Sequence, residues 1–151
     1  MIIEKEWFKA ILAVGKHNAR NTRYKRFACG YDGMLAIGSG YFFFVLPANM
    51  DDDSCKIYEV ADIVQAVKIA KVRRAEGARV EPNAGATCPN VAAVAESFKS
   101  KSNVALIDGD FLASVAGALG DYLKLEYDDG RTKVSKKNSD AYAIIANCVD
   151  K

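Results

Sequence analysis

The chain has 151 residues, 50% of them hydrophobic and 26% charged, and a formal net charge of +2. These values fit one globular domain with one hydrophobic core. The longest apolar run, residues 41–46, is far too short to span a bilayer, and residues 1–5 lack the layout of a signal peptide. We therefore expect a cytoplasmic protein without a membrane partner.

The first 47 residues predict a strand, a helix and three more strands. Ile2-Ile3 indicates a short strand, and Lys5 to Lys16 has the apolar spacing of an amphipathic helix. Asp32-Gly33 is a strong hairpin signal, and residues 38–40 predict a second turn. The strands of the resulting meander are expected at Tyr24–Tyr31, Met34–Ile37 and Tyr41–Leu46.

Basic residues concentrate in this first unit. On the predicted helix, Lys5, Lys9 and Lys16 fall within about 40° of one another at 100° per residue, away from the apolar side. A basic cluster without acidic residues continues towards the next strand and can contact phosphates. The alternative is a solvated connection between helix and strand. The members of the cluster are Lys16, Arg20, Arg23, Lys25 and Arg26.

Residues 48–103 form a connecting segment with a less regular pattern. Tyr58 to Lys68 has helical spacing. Residues 68–80 fit either a longer helix or a pair of strands around Glu76-Gly77, and periodicity does not separate the two. The remaining predictions are a loop at residues 82–89 and a short helix at Asn90–Phe98.

The last unit, residues 104–150, repeats the order of the first. Val104 to Ile107 predicts a strand, Asp108 a helix N-cap, and Phe111 to Leu119 a helix that Gly120 ends. Residues 128–130, Asp-Asp-Gly, predict a hairpin turn. The three strands are expected at Tyr122–Tyr127, Arg131–Lys136 and Ala141–Val149.

The repeated order predicts the fold class. We expect a single α+β domain over residues 1–151, with two strand–helix–three-strand units related by a pseudo-twofold axis. The helices are expected to pack on one face of one or two antiparallel sheets.

The sequence lacks the residue patterns of a catalytic site. His17 is the only histidine, and its place at a helix end is more typical of a C-terminal capping residue than of a base. Gly38-Ser39-Gly40 lacks the lysine of a phosphate-binding loop. Asp51-Asp52-Asp53 lacks the spacing of a calcium loop. We therefore expect no catalytic residues, no metal site and no cofactor.

Two further residue types are interpreted as core. The four cysteines have no metal-ligand spacing, and we expect buried free thiols. The aromatic run Tyr41-Phe42-Phe43-Phe44 could stack on bases, but it lies in a predicted strand and favours buried core. One of its phenylalanines would still point outward, which would suit an interface.

The complete pattern resembles DNA sliding clamps, whose domains repeat a strand–helix–three-strand unit twice. Residues 104–120 and 122–130 are similar to the C-terminal half-domain of the bacterial β clamp, and residues 141–149 to its closing strand. Cys88-Pro89-Asn90-Val91 is similar to the segment that precedes a clamp unit. Residues 1–46 resemble the opening unit of a clamp.

The resemblance implies a non-catalytic protein that associates with duplex DNA. Clamp helices line a ring, and their cations contact phosphates without reading sequence. Lys5, Lys9 and Lys16 would then face DNA, several copies would form an oligomeric ring, and a polymerase would be tethered. The basic residues that could assist are Arg20, Arg23, Lys25 and Arg26.

A second hypothesis is a protein–protein interaction module that has the clamp fold and no DNA affinity, because fold does not fix function. It predicts a monomer or dimer that ignores DNA. The sequence departs from clamps at residues 111–119, a predicted helix without Lys or Arg.

Overall fold

A computed structural model describes residues 1–17, 26–50, 56–83, 90–100, 105–120 and 122–148. A 3-10 turn at Lys5–Trp7 leads into the first α-helix. The helices in these ranges are α1 (Phe8–Lys16), α2 (Val60–Val72), α3 (Val91–Glu96) and α4 (Gly109–Leu119). The strands are β1 (Ile2–Glu4), β2 (Phe27–Tyr31), β3 (Met34–Gly38), β4 (Phe42–Pro47), β5 (Ile57–Tyr58), β6 (Gly77–Arg79), β7 (Leu123–Tyr127), β8 (Arg131–Lys136) and β9 (Tyr142–Ala146).

Seven of the strands form one antiparallel sheet in the order β5-β2-β3-β4-β9-β8-β7. Each predicted meander is present, and the two meanders join along β4 and β9, where Phe43 pairs with Ile144. The predicted α+β class is confirmed. Strand β1 pairs with β6 in a separate two-stranded sheet, with Ile3 opposite Ala78.

Turn chemistry explains the first hairpin. Asp32 and Gly33 both have positive φ, 53° and 70°. This is the left-handed geometry that two-residue hairpins need, and glycine, asparagine and aspartate adopt it more readily than most residues. The hairpin predicted from Asp32-Gly33 is therefore confirmed, and it sets Tyr31 opposite Met34.

Three helices cover one face of the large sheet, with α1 between α2 and α4. The Lys5 amide donates to the Glu76 carbonyl at 2.9 Å, so the start of α1 lies beside the end of α2. Near the other end of α1, a Cβ built on Gly15 would lie 3.0 Å from the γ-carbons of Val64. The two helices are therefore antiparallel, and Gly15 allows their close approach.

Helix α3 lies on the opposite face of the sheet, which corrects the expectation that the helices share one face. Val91 of α3 packs with Phe43, Val45 and Ile144 in a second apolar cluster. Side chains alternate along β4, so Phe42 and Phe44 enter the main core while Phe43 points the other way. Phe43 is only 7% exposed because α3 covers this cluster, so the expected outward phenylalanine is buried.

The connecting segment differs from both predicted alternatives. Helix α2 continues to Val72, and the chain then enters β6 at Gly77. Strand β6 pairs with β1, from the start of the chain, rather than with a neighbouring strand. Two short segments far apart in sequence therefore pair as strands. Periodicity within either segment does not identify its partner.

The first strand of the second unit is a wrong prediction. Residues 105–107 are not in a strand, and Val104 lies outside the described residues. The Leu106 carbonyl accepts one hydrogen bond from the Cys148 amide, at 2.7 Å. Helix α4 itself is confirmed: the Asp108 carboxylate accepts from the amides of Asp110 and Phe111, and Gly120 ends the helix at φ 69°.

The cysteines do not all follow the prediction of free thiols. Cys29, in β2, is disulfide-bonded. Cys148 is free and exposed. Disulfides are rare in cytosolic proteins, so the bond at Cys29 does not support a cytoplasmic location.

Candidate nucleic-acid interface

Lys9 and Lys16 lie on the side of α1 that points away from the sheet. Ala10, Ile11 and Val14 are buried against the core, while both lysines are exposed. Seven residues separate the lysines, so they lie about 20° apart around the helix axis and about 10 Å apart along it. The predicted lysine stripe on this helix is therefore present at these two positions.

Lys5 differs from the other two lysines because its charge is paired. It lies in the 3-10 turn before α1, and its ammonium contacts Glu76 Oε1 at 3.3 Å. Both side chains are largely exposed, at 62% and 86%, so the pair is weak. Glu76 nevertheless offsets the positive charge of Lys5, and this reduces the contribution to phosphate binding that we expect from Lys5.

Helix α2 contributes cations that the sequence analysis did not include. Lys68 and Lys71 are exposed, and they share one side of α2 with Val64, within about 60°. Because Val64 approaches Gly15 of α1, that side of α2 faces α1. We call Lys9, Lys16, Lys68 and Lys71 the α1–α2 basic face.

A charge signal for α2 was present in the sequence. Residues 68–74 contain four cations and no acidic residue. Arg73 and Arg74 are exposed at the end of the helix, where cations interact favourably with the helix dipole. The helix predicted over Tyr58–Lys68 rests on apolar spacing and ends before Lys71, Arg73 and Arg74.

Of the other predicted basic residues, only Arg26 can be placed. It is exposed ahead of β2, and its Nη1 lies 3.5 Å from the Gly15 carbonyl near the end of α1. Arg20, Arg23 and Lys25 lie outside the described residues.

The outer surface of α4 has no basic residue. Its exposed positions are Gly109, Asp110, Ala113, Ser114 and Gly117. The positive charge of the helix layer is therefore concentrated on α1 and α2, as the sequence of residues 111–119 indicated.

His17 occupies the C-cap of α1, as predicted, but its side chain has a different environment from a typical cap. Its ring contacts Tyr41, Phe42 and Phe111 edge-on, with centroid distances of 6.0, 5.2 and 5.2 Å. Its Nε2 is buried, and among the residues that the structure describes it has no hydrogen-bond partner. The ring therefore serves as part of an aromatic cluster between α1, β4 and α4.

The aromatic cluster leads to a stability prediction for His17→Phe. Phenylalanine keeps the ring contacts and removes a buried nitrogen that has no partner. We expect the free energy of unfolding to stay equal or to rise by about 1 kcal/mol, measured by urea denaturation. A loss of stability would show that the nitrogen makes a favourable interaction.

A cleft of about 680 Å³ lies near the first hairpin, and its lining includes Asp32, Lys133, Ser135 and Tyr142. The Lys133 ammonium sits 4.5 Å from the centre of the Tyr142 ring. Burial, with smaller contributions from Tyr31 and Asp32, raises the pKa of Tyr142 to about 12. The hydroxyl therefore stays protonated at neutral pH and is unsuited to act as a base.

Two kinds of feature are absent from the described ranges. No group of three or more His, Cys, Asp or Glu side chains there is placed to hold a metal ion. No helix there is both long and apolar enough to cross a membrane.

The chain has no match among protein-family models, curated proteins or solved structures. A function therefore has to be proposed from its own geometry.

Proposed function

We propose that this is a non-catalytic, clamp-like protein that binds duplex DNA without sequence preference through the α1–α2 basic face. One observation carries the proposal: Lys9 and Lys16 point away from the sheet, and Lys68 and Lys71 lie on the adjacent side of α2. Cations on an exposed helical surface gain affinity for phosphates by releasing counterions.

The charges of the basic face are available for a ligand. Within the part of the chain that the structure describes, none of these four lysines forms an ion pair. Two acids close to them in sequence have other partners: Glu76 pairs with Lys5, and Glu6 lies 3.9 Å from Lys136. An unpaired lysine exchanges bound counterions for phosphates at little cost, because no internal ion pair has to break.

The strand order supports the likeness to a clamp domain. The meanders β2-β3-β4 and β9-β8-β7 meet through their last strands, which is the order expected if two similar units face each other. A helix precedes each meander, and α1 packs against α4. A ring around duplex DNA would need several copies of a domain of this size, so the proposal includes a homo-oligomer.

The test compares DNA affinity in two double variants. Lys9→Gln with Lys16→Gln removes two charges from the basic face, and glutamine has nearly the helix propensity of lysine. We expect weaker binding to a fluorescent duplex, and a plot of log K against log salt that is shallower by about 1.8. Binding should weaken equally for unrelated duplex sequences, because phosphate contacts carry no sequence information.

The matched control removes two lysines outside the basic face, with Lys99→Gln and Lys137→Gln. Both side chains are exposed, Lys99 after α3 and Lys137 in the turn that follows β8. This variant should keep the wild-type salt slope. An equal loss of DNA affinity in the two variants would indicate general charge attraction. Absence of binding between the wild-type protein and duplex DNA at low salt would refute the proposal.

A protein–protein interaction module remains the second candidate. The observation that favours it is the outer surface of α4, which is small, neutral or acidic where a clamp helix is expected to be basic. This candidate predicts that the wild-type protein does not bind duplex DNA at low salt, so the same measurement decides between the two.

A further inference from the structure

Strand β7 forms one border of the large sheet. It pairs with β8 on one side, and among the described strands none pairs with its other side. A border strand of this kind can pair with a strand of another molecule. Leu125, at its centre, is 38% exposed.

The hydrogen bonds of the β7–β8 ladder show which amides point outward. The Lys137 amide donates to the Tyr122 carbonyl, and the Asp128 amide donates to the Arg131 carbonyl, both at 3.0 Å. Hydrogen-bonded pairs alternate along an antiparallel ladder, so Lys124 and Glu126 also bond to β8. The backbone groups of Leu123, Leu125 and Tyr127 therefore face the open edge.

We propose that β7 pairs with β7 of a second copy of this chain, antiparallel and centred on Leu125. In this register Leu125 faces Leu125 of the partner subunit, and Leu123 faces Tyr127 of the partner subunit. All three residues present outward backbone groups, so the three hydrogen-bonded pairs supply six bonds, two for each pair.

Charge complementarity selects this register and this occupant. Lys124 and Glu126 lie on the face of β7 opposite α1, α2 and α4. Their cross-strand neighbours are Ser135 and Lys133, and Lys133 contacts Tyr142 of the apolar cluster on the α3 side. In the Leu125-centred register each lysine lies opposite a glutamate of the other copy, in the pairs with the closest side chains. The existing contact between Lys124 and Glu126 at 2.5 Å then becomes part of a four-charge group.

Neighbouring registers are disfavoured. A shift of two residues places Lys124 opposite Lys124 of the partner subunit, or Glu126 opposite Glu126 of the partner subunit, and like charges in that position repel. A shift of one residue sets outward backbone groups opposite inward ones and breaks the ladder.

The resulting contact is isologous and closes at a dimer. Because opposite residues of an antiparallel pair share a face, the helix layers of both copies lie on the same side of one continuous sheet. The contact does not depend on DNA binding.

Charge reversal tests the register through oligomeric state, measured by sedimentation at concentrations up to millimolar. Wild type should form dimers reversibly. Lys124→Glu places Glu opposite Glu126 of the partner, and Glu126→Lys places Lys opposite Lys124 of the partner, so each variant should dimerise at least about tenfold more weakly. The two variants mixed together should form a heterodimer, since every opposite pair is then complementary.

The double variant Lys124→Glu with Glu126→Lys is the matched control, because it restores opposite charges and should dimerise like wild type. Hydrogen exchange provides an independent measurement. Dimerisation should slow exchange at the amides of Leu123, Leu125 and Tyr127, while those of Lys124 and Glu126 change little. A wild-type monomer, a dimer that the single reversals leave intact, or a mixture that stays monomeric would each overturn the proposal.

Discussion

Gly38→Ala is expected to destabilise the fold strongly. A Cβ at this position would lie 2.3 Å from the Phe42 carbonyl oxygen and 2.4 Å from the Phe43 Cα. Both are main-chain atoms of the adjoining strand, so no side-chain rotation relieves the clash. The turn between β3 and β4 is also held by the Ser39 amide, which donates to the Phe42 carbonyl at 2.8 Å.

The clash at Gly38 is costly because it lies between two central strands. Separating β3 from β4 would expose Phe42 and Phe44, which are buried in the main core. We expect a loss of more than about 3 kcal/mol of unfolding free energy, a large part of the stability of a typical domain. Urea denaturation followed by circular dichroism would measure the loss.

Gly117→Ala is the matched control for this substitution. Gly117 is exposed in α4, and a Cβ there would meet nothing within 4 Å. Alanine is favoured over glycine inside a helix, so the unfolding free energy of this variant should rise by about 0.5–1 kcal/mol. If Gly38→Ala folded with wild-type stability, the described β3–β4 turn would be incorrect.

The second large effect is expected at Asp128, in the turn between β7 and β8. Its Oδ1 accepts from the amides of Gly130 and Arg131, at 3.0 and 2.7 Å. Its Oδ2 contacts the Arg131 guanidinium at 2.6 Å, and the same guanidinium donates to the Val94 carbonyl at 2.6 Å and to Ser97 Oγ at 2.9 Å. Asp128 and Arg131 therefore join this hairpin to the end of α3.

Asp128→Ala should lower the unfolding free energy by about 3 kcal/mol. The carboxylate is 7% exposed, so its removal leaves two amides and a partly buried guanidinium without their acceptor. Urea denaturation at neutral pH would measure the change. A loss of unfolding free energy no larger than that of an ordinary surface substitution would contradict the role of Asp128 in this turn.

The Asp128 carboxylate also makes stability depend on pH. Burial by itself raises the pKa of Asp128, but hydrogen bonds from Gly130 and Arg131 outweigh burial and hold the pKa below its ordinary value of 3.8. The ionised group therefore stabilises the fold at pH values above 3.8, and this contribution is lost as the pH falls through the lower folded-state pKa.

Asp128→Asn separates charge from shape. The amide oxygen can still accept from the two backbone amides, whereas the charge and its titration are absent. The difference in unfolding free energy between wild type and this variant should be largest near neutral pH and should shrink below pH 3.8. A difference that does not change with pH would show that the carboxylate contributes through its shape alone.

Local signals in the sequence were sufficient for most helices and hairpins. Asp32-Gly33 adopts the predicted turn because glycine, asparagine and aspartate accept positive φ more readily than most residues. Asp108 caps α4 through its own carboxylate. The stripe of Lys9 and Lys16 follows from helical spacing alone. In each of these cases the cause lies within a few residues along the chain.

Contacts between distant residues determined the rest. The pairing of β1 with β6, the ion pair of Lys5 with Glu76 and the placement of α3 over Phe43 each join segments far apart in sequence. The same holds for the approach of α2 to α1 at Gly15, which brings Lys68 and Lys71 beside the predicted stripe. Periodicity identifies the buried side of an element but not the element that covers it, because that choice depends on packing among all of them.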